Sequence, residues 1–346
     1  MRRHLNTLYV TTQGAWLNKD GENVVISLDN QERGRVPLHT IGGIIGFGRV
    51  LISPPLLGAC AETGISINFM TEFGRFLARV EGPVSGNVLL RRTQYRWADA
   101  AAHRDAIIKS IVAGKVLNQR AVLTRAIRDH GDTSPEHERT ALNAAADRLA
   151  GIVRRLEKPL DGDQLRGAEG EAGLVYFSVF DHLVRGEKPL FAFAGRSRRP
   201  PLDATNALLS FVYALLTSDV RGALESVGLD PAVGYLHVDR PGRPSLALDL
   251  MEEFRPFFAD RLVLSLINRR QLSAKDFKTV DNGATLLTDD GRKTVLVAYQ
   301  ERKRDEIQHP FLDEKVTVGL LWFIQAQLLA RHLRGDLDAY PPFIWK

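Results

Sequence analysis

The rhythm of apolar and polar positions changes once along the chain, near residue 83. Before it, short apolar runs are punctuated by turn residues. Leu8-Tyr-Val-Thr-Thr, Asn23-Val-Val-Ile-Ser-Leu, Arg35-Val-Pro-Leu, Ile44-Ile-Gly-Phe, Ile65-Ser-Ile-Asn-Phe and Phe76-Leu-Ala-Arg-Val are rich in β-branched and aromatic residues, as strands are. Asn18-Lys-Asp-Gly21 and Asn30-Gln-Glu-Arg-Gly34 read as turns between them. Pro54-Pro55 before Leu-Leu-Gly-Ala-Cys-Ala predicts one short helix. Gly42-Gly-Ile-Ile-Gly-Phe-Gly48 has neither the Walker nor the dinucleotide spacing, so its glycines read as sheet and turn glycines.

After Gly82-Pro83 the period becomes helical. From Asn87 to Arg128 the chain is rich in Ala, Leu, Ile and Arg, with Ile107, Ile111 and Leu117 recurring on one face. Ser134-Pro135 marks a helix start, with Pro135 at the first helical position. Helical patterns continue over 165–185, 205–217, 252–271 and about 316–334. One interruption is expected: Ala284-Thr-Leu-Leu and Thr294-Val-Leu-Val-Ala-Tyr flank Asp289-Asp-Gly291, the signal of a β-hairpin. The predicted class is α+β. An N-terminal β-sheet domain (1–83) is followed by a linker (84–90) and a larger, mainly helical domain (91–346) with a hairpin insertion.

Composition narrows the function less than pattern does. With 346 residues, 44% of them hydrophobic, the chain can build a full core, and its formal charge of +5 suits a nucleic-acid partner without requiring one. The single cysteine, Cys60, lies in an apolar stretch and reads as a buried structural thiol; no disulfide within the chain and no CxxC zinc site is available. No signal core and no apolar run of membrane-spanning length is read, so a cytoplasmic protein without a membrane partner is expected.

Candidate chemistry lies in three separated segments. Glu169 sits on a helix whose apolar stripe is Leu165, Ala168, Ala172 and Val175, with Ala172 and Gly173 leaving room beside the carboxylate. It reads either as a ligand or as an exposed glutamate near a helix N-terminus. His237 ends an apolar segment and enters a proline-rich loop, a place for a ligand or for a hydrogen-bonded structural histidine. Asp249 and Glu252 share one helical face, with Arg255 three residues on and Glu253 expected on the surface. Crowded carboxylates repel, and a cation offsets that. Oxygen ligands plus one imidazole favour Mg2+ or Mn2+ and metal-assisted attack on phosphorus. Arg240 and Arg243, close to His237, are the better phosphate-contacting candidates. The Arg196, Arg198, Arg199 cluster and the Arg302-Lys-Arg304 run are weaker, and the latter fits solvated surface. Tyr176 and Trp322 could stack on bases, although each has core-like neighbours.

The wording of these segments resembles a known family. Leu165-Arg-Gly-Ala-Glu169-Gly, Tyr176-Phe177, Arg199-Pro-Pro-Leu-Asp203-Ala-Thr-Asn206, Gly234-Tyr-Leu-His237, Leu248-Asp249-Leu-Met-Glu252-Glu-Phe-Arg255-Pro, His309-Pro-Phe-Leu and Gln325-Ala-Gln-Leu-Leu resemble the CRISPR-associated protein that integrates new spacers. The resemblance covers essentially the whole chain, and the C-terminal wording looks most like its subtype I-C branch. It implies a metal-dependent DNA integrase and endonuclease of CRISPR adaptation, in which a fragment's 3′-hydroxyl attacks phosphodiesters at repeat ends in the CRISPR array. It further implies metal ligands at Glu169, His237 and Glu252, with Asp249 beside them and either acidic group open as the direct third ligand. Arg255 would face DNA, alongside the candidates Tyr176, Arg240 and Arg243 read from the residues above, and Gly173-Leu-Val departs from the Ala-Arg pair expected before Tyr176. The implied partners are double-stranded DNA (fragment and repeat), a second copy joined through the β domains, a small second adaptation protein and, for that subtype, a fragment-trimming nuclease. A phosphoesterase acting on other nucleic acids, and a basic helical DNA-binding protein without catalysis, are the competing readings.

Overall fold

In the computed structural model, which describes residues 6–82, 88–198 and 200–345, the chain opens with eight strands in two sheets. The strands are β1 (Asn6–Val10), β2 (Trp16–Asp20), β3 (Asn23–Leu28), β4 (Gln31–Pro37), β5 (Ile41–Phe47), β6 (Leu51–Ile52), β7 (Ser66–Met70) and β8 (Phe76–Val80); helix α1 (Pro54–Thr63) precedes β7. One sheet runs β1-β5-β7-β8 and the other β4-β3-β2-β6. Val10, Leu17, Val24, Ile44, Leu56, Cys60 and Ile67 bury their side chains in one apolar core.

Two turn readings shift. Residues 18–20 belong to β2, and the chain reverses at Asp20–Asn23. The β3–β4 reversal falls at Asp29-Asn30, both with positive φ (51° and 60°), which leaves Gln31–Gly34 to pair with β3. Asp and Asn tolerate that left-handed geometry better than other residues with a side chain. The linker expectation lies partly outside the described residues: 88–90 are already helical, and 84–87 are not among them.

The helices that follow are α2 (Val88–Asp99), α3 (Ala101–His130), α4 (Glu136–Leu156), α5 (Gly162–Ser178), α6 (Lys188–Phe191), α7 (Ala204–Ser226), α8 (Ser245–Met251) and α9 (Arg261–Asn268). Between α8 and α9, Arg255–Asp260 widens into a π-helical turn at Pro256, which lacks the N–H a regular helix needs there. Then come the antiparallel pair β9 (Phe277–Thr279) and β10 (Thr285–Leu287), α10 (Asp289–Arg304), the pair β11 (Glu306–Gln308) and β12 (Lys315–Thr317), and α11 (Leu321–Leu333).

The hairpin is therefore displaced from its expected place. Asp289-Asp-Gly291 starts a helix, because Thr288 Oγ1 accepts the Gly291 N–H and both aspartates suit the N-terminal dipole. Val295, Leu296 and Tyr299 pack as one helical face, and β10 pairs backward with β9. Residues 316–320 likewise form a strand and a tight turn, so the last helix starts at Leu321. Helix α7 is long and apolar enough to cross a bilayer by length and composition, but 61% of its most apolar window is buried inside the protein. It is the core helix on which α8, α11 and the π turn pack.

Candidate metal centre

Three helices and one loop bring the candidate groups together. Asp161 caps α5: its carboxylate accepts the N–H groups of Asp163 and Gln164, and the Gln164 side chain returns a bond to the Asp161 N–H. The helix buries Leu165, Ala168, Ala172 and Tyr176 and presents Glu169, 27% exposed at its side chain. A Cβ added at Gly170 or Gly173 would meet nothing within 4 Å, so the space beside Glu169 is open. Facing α5 is α3, which carries Lys115 on a side chain only 8% exposed.

The loop before His237 is tied down twice. Gln94 on α2 is fully buried; its amide donates to the carbonyls of Asp230 (2.8 Å) and Val233 (2.9 Å) and accepts the Asp230 N–H (2.9 Å). Asp249, also fully buried on α8, accepts the N–H groups of Tyr235 (2.6 Å), Leu236 (3.0 Å) and His237 (2.9 Å). Its Oδ1 lies 2.6 Å from His237 Nδ1. Gly234 makes this possible, since a Cβ there would stand 2.8 Å from Asp249 Oδ2. With Nδ1–H donated to Asp249, the imidazole turns Nε2 inward, 4.0 Å from Glu252 Oε1.

Glu252 is 1% exposed and surrounded by positive groups. Arg255 Nη1 lies 2.7 Å from its Oε1, and Lys115 Nζ lies 2.8 Å from its Oε2. Lys115 also contacts Glu169 Oε1, so one ammonium stands between two carboxylates. Burial works against the Glu252 charge, but Arg255, Lys115 and His237 outweigh it and hold the carboxyl well below its usual range. Burial likewise opposes the Lys115 charge, and Glu252 and Glu169 override it. The Lys115 approach to Glu252 is an ion pair only: Oε2 is buried and has no partner in hydrogen-bond geometry. Among the described residues, no three acidic, histidine or cysteine side chains are close enough to grip an ion as they stand. Asp249 is saturated by the loop, and an ammonium fills the gap between the other two carboxylates. A hard divalent cation suits this donor set of two carboxylates and an inward Nε2, one oxygen of which is orphaned.

The other expected residues separate. Arg240 is exposed and Arg243 half-buried, on the turn just after His237 that Gly242 makes with φ of 73°. Arg255 is committed to Glu252 and lies 5.0 Å over the Tyr213 ring. Tyr176, expected against DNA, is fully buried and packs on Phe177 and Phe180; its ring has no face for a base. Trp322 is equally buried. Arg196 stacks over Tyr213 and binds Asn206, and Arg199 lies outside the described residues. The 302–304 run is not a solvated block, because Lys303 is buried against Asp219 at 3.0 Å. Glu253, expected on the surface, is wholly buried: Tyr340 Oη (2.7 Å), Gln325 Nε2 (3.0 Å) and the Phe343 N–H (2.8 Å) all donate to it. Leu174 is 77% exposed on α5, in the segment where arginine was expected.

Lys115 and Gln94 were missed. The usable signal for the first was Lys115, Asn118 and Gln119, three polar groups at i, i+3 and i+4 inside an apolar helix, where all three are buried.

A β-sheet unit joined to a helical body, with an imidazole and carboxylates set among basic groups, defines a class of nucleic-acid-processing enzyme. A family profile described as CRISPR associated protein Cas1 matches residues 8–301, and the chain belongs to that family. It is 62% identical over 347 residues to CRISPR-associated endonuclease Cas1 2 of Rhodospirillum rubrum, covering 100% of both chains. It is 35% identical to a Cas4 exonuclease/Cas1 endonuclease fusion of the same organism, over 97% of this chain and 57% of that one. The solved Cas1 protein of Thermotoga maritima superimposes with a TM-score of 0.80 at 25% identity, covering 95% and 97% of the two chains. A chain of a Cas6-RT-Cas1–Cas2 complex shares the fold, with a TM-score of 0.81 at 22% identity over 99% of this chain and 36% of that one.

Proposed function

We propose that Glu169, His237 and Glu252 hold the divalent metal with which this DNA endonuclease and integrase of CRISPR adaptation inserts spacers. The observation that carries the assignment is the division of labour between the two α8 acids. Asp249 spends both oxygens on the loop and on Nδ1, whereas Glu252 turns Oε1 toward Nε2 (4.0 Å) and Arg255, and its buried Oε2 toward the Lys115 ammonium. Glu252 is thus the third ligand and Asp249 the group that orients His237.

Bound Mg2+ or Mn2+ would neutralise charge on the attacked phosphate. The chain's own residues do the rest. Asp249 fixes the imidazole tautomer and Arg255 anchors Glu252. Arg240 and Arg243, on the turn beside His237, meet the DNA backbone. A 3′-oxygen of the incoming fragment gains a bond to the phosphorus at the repeat end as the 3′-oxygen of the adjoining array nucleotide leaves. The hydroxyl proton passes through solvent to the departing oxygen. With water as nucleophile the same geometry cleaves.

The wider reading rests on the resemblance and on relatives. The β-sheet unit (1–83) joins two copies and the helical unit (91–346) carries the metal. A small second adaptation protein, as in the complex containing Cas2, spans the fragment between dimers. A fragment-trimming nuclease assists in the subtype I-C branch, in keeping with a relative fused to Cas4. The protein works in the cytoplasm. A phosphoesterase acting on other nucleic acids is not favoured, since the family match spans residues 8–301.

The test is a branched DNA that mimics half-finished integration, incubated with Mn2+, Mg2+ or chelator. Metal-dependent strand transfer is expected, falling at least about 1,000-fold in Glu169→Ala and His237→Ala while both still fold and bind DNA. Equal activity in wild type and variants would remove the metal centre from the account.

A further inference from the structure

Lys115 is placed unlike an ordinary structural lysine. It projects from the middle of α3 into a site where its side chain is only 8% exposed. A buried ammonium is costly unless compensated, and here compensation comes from Glu169 on α5 and Glu252 at the end of α8. Without a cation between them, those two carboxylates would face each other and repel.

We propose that Lys115 is a built-in counter-ion, holding the place of the divalent metal between Glu169 and Glu252 and yielding it when the metal arrives. This rests on the metal-centre reading above. Three observations carry it. The ammonium touches both carboxylates that are to become ligands, and it does not touch Asp249, the acid already saturated by the loop. The contact with Glu252 lacks hydrogen-bond geometry, leaving Oε2 orphaned. Asn118, one turn along the same helix, shows what a permanent buried group looks like there. Its amide donates to the carbonyls of Glu253 (2.7 Å) and Phe343 (2.9 Å) and accepts the Trp345 N–H (2.7 Å). Lys115 is held by one hydrogen bond, to the partly exposed Glu169, and otherwise by charge, which leaves it more exchangeable than Asn118. A divalent cation brings twice the charge and accepts oxygen ligands from several directions. The displaced ammonium then stays near the site, tethered to α3, as a positive group for the entering phosphate. Lys115 is on this account a positioning residue, keeping the metal-free ligands assembled.

Mn2+ binding to the full-length protein, followed by electron paramagnetic resonance and calorimetry without DNA, tests this on wild type, Lys115→Met and Glu169→Ala. Lys115→Met should bind Mn2+ at least about tenfold more tightly than wild type, and Glu169→Ala should bind weakly. Wild-type binding with Lys115→Met no tighter would overturn the inference and leave the metal centre standing. Binding by neither would overturn both. A second measurement needs no variant: acetylation of Lys115 in the wild-type protein, read by peptide mass spectrometry, should speed up when Mn2+ is added. Labelling unchanged or slowed by Mn2+ would count against displacement, whatever the variant does.

Discussion

Glu252 and Glu253 are neighbours in sequence, both buried, and they serve two opposite regions. On one side Glu252 faces Lys115, Arg255 and His237, in a charged cluster with an orphaned oxygen and a half-open mouth at Glu169. On the other, Glu253 accepts three hydrogen bonds that clamp the C-terminal tail through Tyr340, Gln325 and Phe343. Helix α3 repeats the contrast, with Lys115 toward the first region and Asn118 toward the second. The second network is directionally satisfied. The first is held mainly by charge and can exchange partners, which suits a site that must take up an ion and a phosphate.

The largest effect that would sharpen this contrast is on stability. Glu253→Ala removes the acceptor for three buried donors and should cost about 3–5 kcal/mol, measured by urea unfolding. A loss below about 1 kcal/mol would deny the clamp its structural role. Slightly smaller is a pH effect at Asp260, whose carboxyl burial raises to about 6 against the hydrogen bond from Tyr213 and the charge of Arg196. The folded carboxyl keeps its proton after the unfolded one, near the ordinary aspartate value of 3.8, has lost it. Stability from this group is therefore full below that value and is lost as pH rises through about 6, by about 3 kcal/mol. Unfolding of wild type against Asp260→Asn from pH 4 to 7.5 reads it: the wild-type advantage should shrink with rising pH, and a constant difference would refute the shift.

Much of this was readable in the chain, for reasons specific to each residue. The β-to-helix change near residue 83 showed because period 2 and period 3.6 leave different apolar patterns. Glu169 and His237 showed because their surroundings were small or constrained. Three things did not show. Asp289-Asp-Gly291 serves equally as a turn and as a capped helix start, and only the burial of Val295 and Tyr299 decides between them. Glu253 was misplaced because a partner 90 residues away, the Phe343 N–H, leaves no local trace, whereas Tyr176 did carry one in Phe177 and Phe180, its core-like neighbours. Lys115 was hidden among the many basic residues of its helix, since its importance comes from what α5 and α8 bring to it.

Two smaller predictions probe the exchangeable region. Asp249→Asn should release the His237 orientation and weaken Mn2+ binding about 10–100-fold with the ligands themselves intact; unchanged affinity would make Asp249 dispensable as an orienting group. Leu174→Arg, on the exposed face of α5, should raise DNA affinity a few-fold, or about 0.5 kcal/mol, and steepen its salt dependence by about one ion, read by fluorescence anisotropy at several salt concentrations. No change in either would place that face away from the DNA.

The most direct measurement is an anomalous-scattering map of crystals grown with Mn2+. The account predicts one peak at about 2.1 Å from an oxygen of Glu169, an oxygen of Glu252 and Nε2 of His237, with Asp249 outside the coordination sphere. A peak coordinated by Asp249 in place of Glu252, or none at this cluster under saturating Mn2+, would contradict it.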